Sequence, residues 1–263
     1  YSQNFYNNLR LDFSQFKWVC VTPIDGKPVY KNWLDTFDDS DATMVISKFG
    51  VEALREKGKK VGLLYPGVDQ KEFYPFGKEQ RAELRTKVGI PEDAFVIGSM
   101  GMNQGRKNWP VMIEAFFDFA LDKKNVFYLI DADRIGMGGW DLPSLCLDIL
   151  DDRGFKLELT DKLIYREDLA KKGLTELSQR YNLLDLHMMI AFREGFGLPH
   201  IEAMACKIPT VSLDWCSGTE IVGEGKGYLV PVLIDKYGAK VMNYSTWGNS
   251  QDAIPDLKEF VNI

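Results

Sequence analysis

Short apolar runs alternate with amphipathic stretches along most of this chain, and that alternation confines it to a narrow set of folds. The segments at residues 95–100, 126–130, 186–190, 210–213 and 227–231 read as strands, the first three predominantly apolar. Strands read this way when both faces are buried, as in a parallel sheet covered by helices on each side. Between them, Trp109, Met112, Ile113, Phe116 and Ala120 form a core-facing stripe at helical spacing, with Asn108 as the expected cap. Residues 141–151 predict a further helix, 161–168 a turn region, and 169–181 a helical stretch interrupted near Gly173. The expectation is an α/β chain on an open, doubly wound parallel sheet. Ligands of such sheets bind beyond the carboxyl ends of the strands.

Upstream, residues 16–21, 42–46 and 61–64 predict three more strands. Short helices are expected at 32–37 and around Phe49, Ala53 and Leu54, the second stopping at Gly58. These units are too few to complete a doubly wound domain. Tyr65-Pro66-Gly67-Val68-Asp69, followed by Phe73-Tyr74-Pro75, reads as a crossover between domains.

The segment that carries chemistry is Arg193-Glu194-Gly195-Phe196-Gly197-Leu198-Pro199-His200-Ile201-Glu202-Ala203-Met204-Ala205. It follows the apolar run at 186–190 and turns through glycines into a helix, with Pro199 suited to the first helical position. Strand, glycine turn and helix start present backbone N–H groups and a positive helix end to an anion. Glu194 precedes the turn and Glu202 is expected in the first helical turn, both placed to accept hydrogen bonds from hydroxyl groups. An anion together with a polyhydroxyl group suggests a nucleotide sugar. A second turn of the same kind, Met100-Gly101-Met102-Asn103-Gln104-Gly105-Arg106-Lys107-Asn108, brings two cations to a strand end. Lysine offers a phosphate a point charge and arginine a planar fork.

At these residues the chain resembles the retaining glycosyltransferases of family 4, which have the GT-B fold. Their signature is two glutamates with seven residues between them around Gly-Phe-Gly-Leu-Pro, the spacing of Glu194 and Glu202 here. The run Lys207-Ile208-Pro209-Thr210-Val211 and Ser217-Gly218-Thr219-Glu220 also fit. The resemblance implies a GT-B type, Rossmann-like doubly wound sheet, with only part of the first Rossmann-like domain present. Residues 1–64 would be the end of the acceptor-side domain, 65–76 the interdomain crossover, and 77–263 the donor-binding domain. It implies transfer of a sugar from a nucleoside-diphosphate sugar to an unidentified glycan, lipid, protein or small-molecule acceptor, with retention and without a bound metal or other cofactor. Glu194, Lys107 and Arg106 would carry the chemistry. Gly101, Asn103, Gly195, Phe196, Gly197, Leu198, His200, Ile201 and Glu202 would hold the donor, with Glu202 at the ribose. Met102 departs from the pattern, standing where many relatives have the first arginine. That departure favours an alternative, a non-catalytic nucleotide-sugar-binding module or assembly subunit of the same fold.

Other features point elsewhere only weakly. A net charge of -6 argues against a nucleic-acid binder, which carries a basic face. Cys20, Cys146, Cys206 and Cys216 lack metal-ligand spacing and read as reduced thiols. No apolar run is long enough to span a bilayer and no signal peptide opens the chain, so a cytoplasmic location is expected, with peripheral membrane contact left open. Asp131-Ala132-Asp133 is expected to serve a turn or cap, and His187 to be a packed, satisfied core histidine. Gly136-Met137-Gly138-Gly139 lacks the lysine of a phosphate loop.

Overall fold

The computed structural model describes residues 17–136, 138–245 and 250–261. The expected first strand begins at residue 16 and the glycine run includes Met137, both outside the described residues. Two parallel sheets form the frame. The smaller has the order β1-β2-β3, with β1 at Val19–Thr22, β2 at Ala42–Val45 and β3 at Val61–Leu63. Helices α1 (Lys31–Asp38) and α2 (Lys48–Arg55) follow its first two strands. Ile24, Val29, Phe37, Val45, Val51, Ala53, Leu54 and Val61 form its core. Ser47 caps α2 by accepting from the Gly50 N–H at 3.2 Å. The helix lies so close to β2 that a Cβ on Gly50 would sit 2.5 Å from Val45 Cγ1.

After the extended segment around Tyr65 and α3 (Lys78–Val88) comes the larger sheet, with the order β6-β5-β4-β7-β8-β9. Its strands are β4 (Phe95–Met100), β5 (Val126–Asp131), β6 (Leu163–Tyr165), β7 (Leu186–Met189), β8 (Thr210–Leu213) and β9 (Tyr228–Val230). Every neighbouring pair is parallel. One face is packed by α4 (Trp109–Ala120) and α5 (Leu142–Asp152), through Trp109, Phe116, Leu142 and Cys146. The other is packed by α3, α6 (Arg166–Lys171), α7 (Leu177–Tyr181) and α8 (Leu198–Ala205), through Val88, Leu169, Tyr181 and Ala203. Ile97 faces the first core while Val96 and Met100 face the second, as the period of a strand requires. The doubly wound parallel sheet is therefore present. Chain order runs outward from β4 through β5 to β6, then returns to β7 on the other side of β4. The switch point lies between β4 and β7.

Four local expectations change. Residues 161–168 are not simply a turn: a 3-10 helix over Leu157–Lys162 leads into β6, which pairs with β5 at the sheet edge. Asn108 stands at the cap position of α4 but in a left-handed conformation, and its amide donates to Ile190 O at 3.2 Å instead of capping. Helix α8 begins at Leu198, so Pro199 is second and Glu202 lies beyond the first turn. Helix α9 (Ser217–Val222) leads into β9, and the chain then continues into an antiparallel ribbon of β10 (Met242–Tyr244) and β11 (Gln251–Ala253) and helix α10 (Leu257–Val261). Among the described residues no helix is long and apolar enough to cross a membrane.

Candidate functional site

The turns that leave β4 and β7 flank the switch point, where an open α/β sheet forms a ligand crevice. Lys107, ending the 3-10 turn Gly105–Lys107, reaches across to the Glu194 carboxylate and forms an ion pair with it. Arg106 approaches the same carboxylate oxygen at 3.4 Å and donates to Arg193 O at 3.1 Å. The Lys107 side chain is 6% exposed and that of Glu194 15% exposed, so the pair is screened weakly by solvent. Burial raises the Glu194 pKa, but the adjoining Lys107 and Arg106 charges outweigh it and hold the value at about 2. Burial draws the Lys107 ammonium below its ordinary value, with Glu194 opposing the fall.

Gly197 has φ 98°, a left-handed conformation that favours glycine, and precedes α8. A Cβ there would lie 2.6 Å from His200 Cδ2, 3.4 Å from His200 Nε2 and 3.5 Å from Glu194 Cγ. His200 is therefore folded under the turn beside Glu194. Burial lowers its pKa to about 4, Glu194 acting against the fall and Lys107 with it. His187 of β7 lies behind, its ring centroid 5.4 Å from that of His200. It is packed but not satisfied: neither of its ring nitrogens has a hydrogen-bond partner, and neither does His200 Nδ1. Tyr181 donates from its hydroxyl to Glu202 at 2.7 Å, which fixes the glutamate one turn along α8 from the helix start. Burial raises the Glu202 pKa, with the Tyr181 bond opposing it.

The smaller sheet closes over this turn. A Cβ on Gly195 would meet Pro23 Cβ at 2.8 Å, and the Phe196 ring lies 5.7 Å from that of Tyr65. Phe196 is buried, whereas Leu198 is 44% exposed and Ile201 is half-buried. Gly101 sits beside the lysine stem, its missing Cβ 3.8 Å from Lys107 Cε. Ser217 donates to Glu194 O at 2.8 Å, holding the back of the turn. Arg193 binds Asp252 and Ser245 of the ribbon segment and lies 3.8 Å from Asp25 in the loop after β1. Glu220 accepts the Lys48 N–H, at the start of α2, with both oxygens at 2.9 and 3.0 Å.

Glu194, Lys107, Arg106, His200 and the glycine turn thus converge, Glu202 stands one turn further along α8 on Tyr181, and the Asn103 side chain is engaged elsewhere. Both amide protons of Asn103 go to Asp133 O and Trp140 O, at 2.9 and 2.7 Å, and its oxygen accepts from the Trp140 N–H at 2.9 Å. Asn103 joins two loops. Met102 is 67% exposed, so Arg106 is the guanidinium nearest the pair on this turn. Asp131 and Asp133 pair with Arg180 and Arg166. Among the described residues no group of three or more His, Cys, Asp or Glu side chains is placed to hold a metal ion. Sequence reasoning missed Tyr181, Asp25 and Arg193; only Arg193 had a signal, its place beside Glu194.

The model of the family described as glycosyl transferases group 1 matches residues 80–245, the span that contains both turns. The D-inositol 3-phosphate glycosyltransferases of Mycobacterium tuberculosis and Mycobacterium bovis are 26% identical over 174 residues, covering 66% of this chain and 32% of theirs. The chain therefore spans about a third of the length of those relatives. Anabaena HepE in complex with UDP and glucose superimposes with a TM-score of 0.66 at 18% identity, over 94% of this chain and 61% of its own. Sucrose-phosphate synthase from Thermosynechococcus elongatus gives 0.65 at 19% identity, over 87% and 57%. Both likenesses are of fold. With more than half of its length matched, this chain belongs to the glycosyl transferases group 1 family.

Proposed function

We propose that this chain carries the donor site of a retaining glycosyltransferase, which moves a sugar from a nucleoside diphosphate to an acceptor hydroxyl. The observation that carries this reading is the Lys107–Glu194 pair spanning the two switch-point turns at the start of α8. The diphosphate would meet Lys107 and the N–H groups at that helix start, which offset charge as the sugar–phosphate bond breaks. Charge compensation is thereby assigned to protein groups, with no resident metal or other cofactor. Glu194 and the backbone of residues 195–198 would orient the sugar. Glu202, held by Tyr181, would receive ribose hydroxyls. The acceptor would attack on the face the phosphate leaves, and that phosphate would take the acceptor proton. Residues 1–64 would then belong to the acceptor side, 65–76 to the crossover and 77–263 to the donor side. The complexes of HepE with UDP and with UDP-glucose support a nucleotide sugar as the class of donor.

The test is incubation with UDP-, GDP- and ADP-linked sugars and a panel of acceptors, with the anomeric proton of each product read by NMR. A product with the donor's configuration supports the proposal, and an inverted product refutes retention. The exposed Met102 favours a second reading, a module that binds a nucleotide sugar without turnover. Saturable binding of a nucleotide sugar, with no sugar released against any acceptor, would select that reading.

A further inference from the structure

Two buried histidines, the only two in the chain, lie beneath the site, and the transfer scheme above routes no step through either. His187 is 0% exposed and His200 1% exposed, and three of their four ring nitrogens are sealed from solvent without a hydrogen-bond partner. Leaving such groups unpaired is costly, so two of them side by side point to a state in which they are paired. The groups that face His200 are Glu194 from the turn, Lys107 from the 3-10 turn and His187 from β7. Arg106 lies over Glu194, and Tyr181 packs edge-on against His187 at 6.0 Å while bonding Glu202.

A diphosphate arriving at Lys107 changes this balance. It competes with Glu194 for the ammonium and adds negative charge next to His200, which in the unliganded protein is kept neutral by burial. An imidazolium at His200 would need an acceptor for its Nδ1–H, and the neighbouring ring, with its centroid 5.4 Å away, is that of His187, whose two nitrogens have no other partner. It would also add a positive charge to those of Lys107 and Arg106.

Resting on the donor-site reading above, we propose that His200 takes up one proton from solvent when a nucleoside diphosphate sugar binds, and that His187 positions the resulting imidazolium by accepting its Nδ1–H. The N–H bond forms on binding and the proton returns to solvent on release. His200 is thus the link between donor affinity and pH, and His187 is its positioning residue.

The test uses UDP-glucose, GDP-mannose and ADP-glucose, whose diphosphate diesters carry no proton that exchanges near neutral pH. Calorimetric titration of the whole chain in buffers of differing ionisation enthalpy counts the protons taken up. The expected count is about one per nucleotide sugar bound near pH 6, with affinity rising by up to about tenfold per pH unit on acidification. His200→Gln should bind with no uptake, and His187→Phe should bind with less uptake than the wild type. Two histidines give two ring Cε1–H NMR signals, so the ligand should move the one lost in His200→Gln to its imidazolium position at a pH where the free protein shows it neutral. Binding without proton uptake, or uptake that survives in His200→Gln, overturns the proposal while leaving the donor site standing. Failure of all three sugars to bind the folded protein overturns the donor-site reading and this proposal with it.

Discussion

Replacing Lys107 by methionine keeps most of the stem volume and removes the charge that Glu194 faces. The carboxylate, 15% exposed, would keep Arg106 at 3.4 Å and the Gly195 N–H at 3.2 Å. Breaking a buried pair by deleting one partner costs about 3–5 kcal/mol. The Glu194 value of about 2, against an ordinary 4.5, has the same sign; Arg106 shares in it, and burial of the Lys107 ammonium offsets part of the gain. Because Arg106 remains, the lower end is expected: about 3 kcal/mol lost at neutral pH. The sign with pH follows from the same shift. The folded value is depressed, so this stabilisation is present above pH 4.5 and is lost as pH falls towards 2. Urea unfolding at neutral pH and near pH 3 should therefore show a large wild-type advantage at the first and a smaller one at the second. Lys107→Met combined with Glu194→Gln should recover most of the loss, since no unpaired charge is then buried. A Lys107→Met protein within about 1 kcal/mol of the wild type at neutral pH would refute the view that this pair is buried and mutually held.

Gly197→Ala should be destabilised by about 1–3 kcal/mol, because φ 98° disfavours a side chain and the new Cβ would press on His200 Cδ2 at 2.6 Å; unchanged thermal stability would contradict the close approach of turn and ring. Stability should also fall as pH drops from 6.5 through about 4, His200 contributing about 3 kcal/mol because burial holds its folded value below its unfolded one, and His187, which burial also holds well below its ordinary value, adding to the fall. His200→Gln should make that part of the urea-midpoint profile shallower while leaving the His187 contribution, and an identical slope would remove His200 as a source. Lys107→Ala should weaken nucleoside diphosphates more than the matching nucleosides in calorimetric titrations, and equal losses would contradict a phosphate role.

Long apolar runs made most of the frame legible. β4 occupies the predicted residues 95–100, and the Trp109 stripe is buried as helical spacing required. β6 escaped because Leu163-Ile164-Tyr165 is three residues set among charged neighbours, and its strand state depends on pairing with β5. The ribbon escaped for a related reason: Met242-Asn243-Tyr244 carries little apolar pattern and is held by its partner strand and by contacts such as Gln251 N–H to Lys27 O. Both turns of the site were visible through glycine, proline and charge, but not their meeting. Lys107 and Glu194 are 87 positions apart and pair only because β4 and β7 are neighbours in the sheet. Asn103 shows the opposite limit, since a polar residue in a phosphate-like turn is spent on a loop that sequence spacing does not place beside it. The histidine pair likewise arises from α8 packing on β7, a juxtaposition with no local pattern.

The most direct test of the donor site is a calorimetric titration of the wild type and Glu202→Ala with UDP, GDP, ADP and their common sugar conjugates. Glu202 stands on α8 one turn from the helix start and is held there by Tyr181, so losing its hydrogen bonds to a ribose should cost about 1–3 kcal/mol. The expected result is selective binding of one base series by the wild type and a loss of that size in the folded variant. Wild-type affinity in Glu202→Ala, or no binding of any of these nucleotides to the folded wild type, would contradict the placement of a nucleotide sugar between the β4 and β7 turns.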